Sequence, residues 1–163
     1  MDWYPWIVFV HAAAILLFFI AHGASMAVSF AVKREQNMDR LRAVLDLSQM
    51  AMGPATIVLS LTGLLAGIVA AFMHGLWGEL WVWISLVLLL LVGFGMTPLV
   101  TMRLNAMRVA AGIPNPRDRN APAPVENIEE VRRLQAAWNP MPIAVVGIGS
   151  FLVILYLMLA KPF

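Results

Sequence analysis

Four long runs of apolar residues constrain this chain more than any other feature. They cover residues 5–32, 51–73, 80–102 and 141–160 of a chain of 163 residues. A helix of about twenty residues, rising about 1.5 Å per residue, crosses the roughly 30 Å hydrocarbon core of a bilayer. Hydrophobic residues make up 61% of the sequence and charged residues 12%, a balance that excludes a water-soluble domain. We therefore predict an all-α polytopic membrane protein, a single four-helix up-and-down bundle embedded in the lipid bilayer.

Positive charge is confined to two connecting segments. Ten of the eleven Lys and Arg residues lie within 33–42 and 103–133, and the eleventh is Lys161. Short loops rich in Lys and Arg stay on the cytoplasmic side of a membrane. We therefore expect 33–50 and 103–140 to be cytoplasmic loops of a bacterial inner (plasma) membrane protein, with both termini on the periplasmic or extracellular side.

Aromatic residues mark the side opposite to the arginines. Amphipathic rings prefer the depth of the lipid headgroups, so their positions support the same orientation. Acidic residues alternate with the basic ones, and we expect no nucleic-acid partner. Asp2 precedes the first run without any Lys or Arg, so we expect this run to be a retained helix and not a cleaved signal peptide. The belt comprises Trp3, Tyr4, Trp6, Trp77, Trp81, Trp83 and Tyr156.

The connections between the runs predict how the helices follow one another. Only the six residues 74–79 join the second and third runs, so we expect these two helices to pack as antiparallel neighbours. Pro98 predicts a kink in the third helix, and Gly112 predicts its end. The Pro-rich stretch 113–124 is typical of a linker, and a short surface helix is expected at 125–138.

The polar and small residues of the first two runs recur with the spacing of a helix face. Helices in lipid associate through small residues and interhelical hydrogen bonds, so we expect the two faces to pack together. Matching the depths of two antiparallel helices places His22 opposite Ser60 and His11 opposite Ala70, about one turn from His74. The faces are His11, Ile15, Phe18, His22, Ser25 and Ser29, and Gly53, Thr56, Ser60, Gly63, Gly67, Ala70 and His74.

The three histidines are candidate cofactor ligands, because ionisable side chains inside membrane spans are often functional. Met96 is a further candidate, since a thioether can serve as an axial ligand. His11 with His74 could supply two axial nitrogens to haem b, and His22 with Met96 could supply a His/Met pair. Covalent c-type attachment is excluded, since the chain has no Cys. A copper site of His and Met is a further alternative. Neutral hydrogen-bonded imidazoles and packing methionines explain the same residues without any cofactor.

Catalytic chemistry finds little support in the sequence. No Asp or Glu lies within the four runs, so the buried carboxylate relay typical of ion-coupled transport is missing. Phosphate-binding loops, nucleophile triads and His-Glu-x-x-His are absent from the sequence as well. Arg103, beside Thr101 and Asn105, is a candidate for binding a lipid phosphate or for anchoring the helix at the interface. We expect the protein not to be an enzyme.

Three segments resemble a known family. They are VFVHAAAILLFFIAHGAS in the first run, SLTGLLAG in the second and WVWISLVLLLLVGFGMTPLVTMRL in the third. The chain resembles an uncharacterised family of bacterial four-helix integral membrane proteins of unknown function, similar in appearance to copper-resistance D-type membrane domains. The resemblance implies a small inner-membrane protein and carries no defined activity.

Three functions are compatible with these observations. The first is a non-enzymatic subunit or an assembly or stabilising factor of a larger membrane complex, such as a bioenergetic one, with a membrane-protein partner or a homo-oligomer. The second is a haem-b redox protein. The third is a small transporter or a metal-handling membrane protein.

Overall fold

The computed structural model describes residues 2–51, 53–114 and 124–163. Of these residues, 85% are helical and none is in a strand. A 3-10 turn at Leu76–Gly78 precedes α4, and a π-helical turn at Val92–Met96 separates α4 from α5. The helices are α1 (Tyr4–Arg34), α2 (Met38–Ala51), α3 (Pro54–Met73), α4 (Leu80–Leu91), α5 (Thr97–Ala110), α6 (Ile128–Ala137) and α7 (Met141–Ala160).

The predicted all-α membrane bundle is confirmed. Four helical segments of the described chain are long and apolar enough to cross a bilayer, and they contain α1, α3, α4 with α5, and α7. Bulky apolar side chains cover the outside of these segments, as lipid requires. Leu16, Leu65 and Leu91, for example, are 62%, 60% and 63% exposed.

The spanning helices pack as two pairs. α1 runs along α3 and α4 runs along α7, whereas α3 and α4 show no comparable packing along their length in the described chain; both contact the turn Leu76–Gly78 that joins them. The prediction that the second and third spans pack as neighbours is therefore wrong. The short connection holds only the ends of the two helices together. Along their length, packing is decided by small residues, which α3 turns towards α1 at Gly63 and Gly67.

Aromatic side chains join the two pairs near the middle of the bundle. The rings of Phe18 and Phe19 on α1 meet the ring of Phe151 on α7, with centroids 5.7 and 4.7 Å apart and near-perpendicular planes. Val92 and Ile154 complete the buried part of this cluster. Through this cluster, α1, α7 and the π-helical turn pack against one another.

The largest hydrophobic core lies at the basic end of the bundle. We call the assembly of α2, α5, α6 and the last turns of α1 the basic layer. At about 1.5 Å per residue, the 31 residues of α1 extend about 15 Å beyond a hydrocarbon core. Water is the alternative solvent there, so burying each large apolar side chain stabilises the fold by about 1.5–3 kcal/mol. The core residues are Val28, Val32, Leu41, Leu45, Leu104, Met107, Ala110, Ala111, Val131 and Trp138.

The predicted surface helix at 125–138 is observed as α6, but it is docked into the basic layer. Asn127 caps its first turn by accepting a hydrogen bond from the backbone N–H of Glu130 at 3.0 Å. Val131 is fully buried, and Trp138 donates from Nε1 to the carbonyl of Ser29 at 3.2 Å. Four of the ten residues of α6 are charged, and its buried residues within the helix are only Val131 and Gln135, so the buried face is narrow.

The end of the third span is as predicted. Gly112 has a φ of +78°, which favours glycine, and the N–H of Ile113 donates to the carbonyl of Arg108 at 2.9 Å. The Pro-rich linker predicted next, 113–124, lies mostly outside the described residues. The π-helical turn comes directly before Pro98, whose missing N–H leaves the preceding helical carbonyls to rearrange.

Candidate functional site

His11 lies in the contact between α1 and α3. Its Nδ1 is 2.7 Å from the carbonyl oxygen of Gly63, and its ring lies against Gly67. A carbonyl oxygen only accepts, so Nδ1 donates the hydrogen in this bond. A Cβ atom on Gly67 would lie 2.8 Å from His11 Nδ1, too close for any side chain. Glycine at this position therefore permits both the close approach and the hydrogen bond.

The two helices pack about one turn away from the predicted register. Ile15 contacts Gly63 as His11 contacts Gly67, whereas His11 was expected opposite Ala70. Equal rise per residue determines depth only approximately. The exact register comes from the two glycines, because only they leave room for an isoleucine and an imidazole.

His74 lies apart from His11. It is exposed just after the end of α3, and its ring contacts that of Tyr4 with centroids 3.6 Å apart. His74 comes seven residues after Gly67, which is about 10 Å along a helix. The structure therefore does not bring His11 and His74 together as a pair of axial ligands on one iron.

His22 leaves the contact between α1 and α3 and faces α7. The prediction that it lies opposite Ser60 is wrong, and the Ser60 hydroxyl donates to the carbonyl of Ile57 in its own helix at 3.0 Å. A Cβ atom on Gly147 of α7 would lie 3.5 Å from His22 Nε2. This nitrogen is buried and makes no hydrogen bond within the described part of the chain. His22 thus holds one ring nitrogen, Nε2, that no described residue hydrogen-bonds.

Two methionines meet His22 at the same place. The Gly147 Cβ position is also 3.5 Å from Cε of Met26 and 3.6 Å from Cε of Met96. Met26 lies one helical turn after His22 on α1, and Met96 ends the π-helical turn. His22 and Met96, proposed from their similar depth, are therefore brought together by the fold. We call His22, Met26, Met96 and Gly147 the His–Met cluster.

Sequence reasoning missed Met26 and Gly147. Met26 follows His22 at a spacing of four residues, which puts the two on one helix face. That signal was available, but eleven methionines in an apolar chain make any one of them uninformative. Nothing in the sequence pointed to Gly147. Its importance comes from its contact with α1, and only the folded protein places α7 against α1.

Aromatic rings enclose the imidazole of the His–Met cluster. Phe18 is stacked on His22 with centroids 5.9 Å apart, and Phe151 meets it edge-on at 5.2 Å. These rings occupy the space beside the imidazole that a flat macrocycle would require. The described packing around His22 and Met96 therefore does not fit a haem, although it leaves the donor atoms close to one another.

Charged groups lie away from the His–Met cluster. Among the described residues, no group of three His, Asp and Glu side chains is arranged to hold a metal ion. Arg108 is 5% exposed in the basic layer, where it donates to the Leu45 carbonyl at 2.7 Å and pairs with Asp46 at 2.9 Å. Arg103, the candidate lipid ligand, is exposed, and no described residue pairs with it.

The fold is that of an integral membrane protein that crosses the bilayer several times. It is mostly helical, has four apolar segments long enough to span the membrane, and exposes apolar side chains to lipid. The comparison with protein families agrees: residues 5–162 match the model of the family described as predicted integral membrane protein (DUF2269), and the chain belongs to this family. Comparisons with curated proteins and with solved structures give no match. The similarity to copper-resistance D-type domains stays a prediction.

Proposed function

We propose that this protein is a non-enzymatic subunit or an assembly or stabilising factor of a larger complex in the bacterial inner membrane. The partner is another membrane protein, and it docks on the side of the bundle formed by α3 and α4. Both termini lie on the periplasmic side, and the basic layer lies in the cytoplasm, as the distribution of Lys and Arg predicts.

The packing of α3 supports this proposal. Its contact with α1 uses small residues, and Gly63, Ala70 and Ala71 are its buried positions. The bulky residues of α3 remain uncovered and form a continuous stripe. We call it the α3 stripe; it comprises Val58, Leu61, Leu65, Val69 and Phe72, which are 44–69% exposed.

A second uncovered stripe on α4 adjoins the π-helical turn. Val87, Leu91 and Phe94 are 52%, 63% and 79% exposed, and they line a shallow groove with Gly95. Packing in lipid depends on shape, so a shallow apolar groove with a small residue in its lining is suited to an apolar helix of a partner. No Asp or Glu lies within the four apolar runs.

Site-specific photo-crosslinking in native membranes tests the proposal. A photoreactive amino acid replaces Leu65 or Val87 on the proposed docking side, and Leu16, 62% exposed on α1, serves as the matched control. We expect a discrete adduct with a different membrane protein from the first two positions and none from Leu16. Adducts with a second copy would indicate a homo-oligomer instead. A monomer that gives only lipid adducts at all three positions would refute a complex.

The second candidate is a haem-b protein, which the unbonded Nε2 of His22 beside Met96 favours. The rings of Phe18 and Phe151 oppose it, because both would have to move away from the imidazole. An absorbance spectrum of the protein purified from its own membranes distinguishes the two functions. A Soret band that disappears in His22→Ala or His11→Ala would replace the subunit proposal with this one.

A further inference from the structure

The His–Met cluster gathers one imidazole nitrogen and the methyl ends of two methionine side chains around a single point. A Cβ atom at Gly147 would stand 3.5 Å from His22 Nε2 and 3.5 and 3.6 Å from the terminal methyl carbons of Met26 and Met96. Each sulfur lies one bond behind its methyl carbon, so rotation about the Cγ–Sδ bond, which moves the methyl group aside, exposes the sulfur to this point. The three side chains come from α1 and from the π-helical turn, and α7 contributes only the absence of a side chain.

The donor atoms are neutral and soft. Thioethers are weak hydrogen-bond acceptors, so they give the imidazole of His22 little as partners, and its Nε2 is indeed buried without a hydrogen bond among the described residues. Thioether and imidazole ligands together favour Cu(I) over harder ions such as Mg²⁺ or Ca²⁺, which take oxygen ligands. No Asp or Glu lies within the four apolar runs to supply such oxygens.

The position inside the bundle adds a limit on charge. Moving an ion from water to a medium of low dielectric costs free energy that rises with the square of its charge, so a divalent ion costs about four times as much as a monovalent one. Neutral ligands do not offset a second positive charge. A site of this composition in a membrane span is therefore suited to a soft cation of charge one.

From these observations we infer that the His–Met cluster is a binding site for a soft monovalent metal ion, Cu(I) or its analogue Ag(I), with His22, Met26 and Met96 as ligands. Gly147 provides the space for the ion. Met96 is the last residue of the π-helical turn, and the wider turn changes which face of the helix Met96 occupies. The inference does not depend on a protein partner.

Substitution at Gly147 separates the site from the fold. The Cβ atom introduced by Gly147→Ala would make ordinary van der Waals contacts at 3.5–3.6 Å, so this substitution is compatible with the packing, and alanine favours the helix. The new methyl group would nevertheless occupy the volume between the three donors. We therefore expect Gly147→Ala to fold like the wild type and to lose the metal ion.

The test uses the full chain purified in mild detergent with its methionine methyl groups labelled with ¹³C. Ag(I) is titrated as a probe without redox chemistry, and Cu(I) is titrated without oxygen against a chelator. We expect one ion per chain and shifts of the Met26 and Met96 methyl resonances. Binding should weaken by about tenfold or more in His22→Phe, Met26→Leu, Met96→Leu and Gly147→Ala.

Met107→Leu is the matched control, because Met107 is 1% exposed and lies in the basic layer away from the His–Met cluster. Its affinity for Ag(I) should equal that of the wild type. Absence of saturable binding in the wild type would overturn the inference. So would equal affinities of wild type and Gly147→Ala, with both proteins shown to be folded by circular dichroism, or a preference for Zn(II) over Ag(I).

Discussion

Lys33 and Gln135 each donate hydrogen bonds to the backbone at the end of the other's helix. Gln135 Nε2 donates to the carbonyls of Val32 and Glu35 at 2.7 and 3.0 Å, and Lys33 Nζ donates to those of Gln135 and Ala136 at 2.7 and 2.9 Å. The last carbonyls of a helix lack partners within it and favour positive charge nearby. The ends of α1 and α6 are therefore capped only when the two helices are docked, which ties the end of a spanning helix to the basic layer.

Gln135→Ala is expected to detach α6 from the end of α1. Gln135 is 4% exposed, and its loss leaves two α1 carbonyls without this donor. The free energy of unfolding should fall by about 1–3 kcal/mol. Denaturation in detergent measures the change, and hydrogen exchange should show faster exchange in α6 and the last turn of α1 than in α7.

Arg133→Ala is the control for this substitution. Arg133 is exposed, and its partner is Glu130 within the same helix at 2.7 Å. The hydrogen bond and the negative charge of Glu130 raise the pKa of Arg133, but neither ties α6 to another element. Stability should not change. If Arg133→Ala lowered the free energy of unfolding as much as Gln135→Ala, the charges of α6, and not the mutual capping, would stabilise its docking.

Gly67→Ala should loosen the contact between α1 and α3. The new Cβ would lie 2.8 and 2.9 Å from two atoms of the His11 ring, so the ring must move and its hydrogen bond to Gly63 must lengthen. We expect a destabilisation of about 1–3 kcal/mol from overpacking. Thermal unfolding in detergent measures it.

Gly149→Ala is the matched change in a region with open space. Nothing lies within 4 Å of the Cβ position at Gly149, which is in the middle of α7. The substitution should raise stability by about 0.5–1 kcal/mol, because alanine loses less entropy than glycine in a helix. Equal effects of the two substitutions would mean that helix propensity, and not close approach, determines the role of Gly67.

The orientation of the chain can be tested with single cysteines, since the natural sequence has none. A membrane-impermeant maleimide added to spheroplasts should label Lys161→Cys and leave Arg40→Cys unlabelled until the membrane is opened. The reason is the concentration of Lys and Arg in 33–42 and 103–133. Labelling of Arg40→Cys in intact spheroplasts would reverse the proposed topology.

Arg103 is expected to hold an anionic lipid. It is exposed at the membrane end of the basic layer, and a guanidinium group binds phosphate oxygens in a bidentate manner. Arg103→Ala should release bound anionic lipid in native mass spectrometry and leave the unfolding temperature nearly unchanged. Arg133→Ala should retain the lipid, because Arg133 is already paired with Glu130. Identical lipid occupancy in both variants would assign Arg103 the role of an interfacial anchor.

Much of the candidate site depended on information that one helix does not contain. The depth of His22 and Met96 along their spans was readable, since each residue adds a constant rise. The sequence did not reveal which neighbouring helix His22 faces. The same face of α1 contacts α3 at His11 but turns towards α7 at His22, eleven residues later. The role of Gly147 required the position of α7 against α1.

The amino-acid sequence by itself determined the solvent of this protein and the number of its spans. These properties follow from the hydrophobicity and length of each segment separately, and local signals such as Gly112 need only a few neighbouring residues. Only the tertiary structure decided that α4 packs along α7 and not along α3, that α6 docks into the basic layer, and that His22 meets Met26 and Met96. In lipid, hydrophobicity does not distinguish one apolar helix face from another, so the choice among neighbours depends on shape, which exists only once the helices are packed.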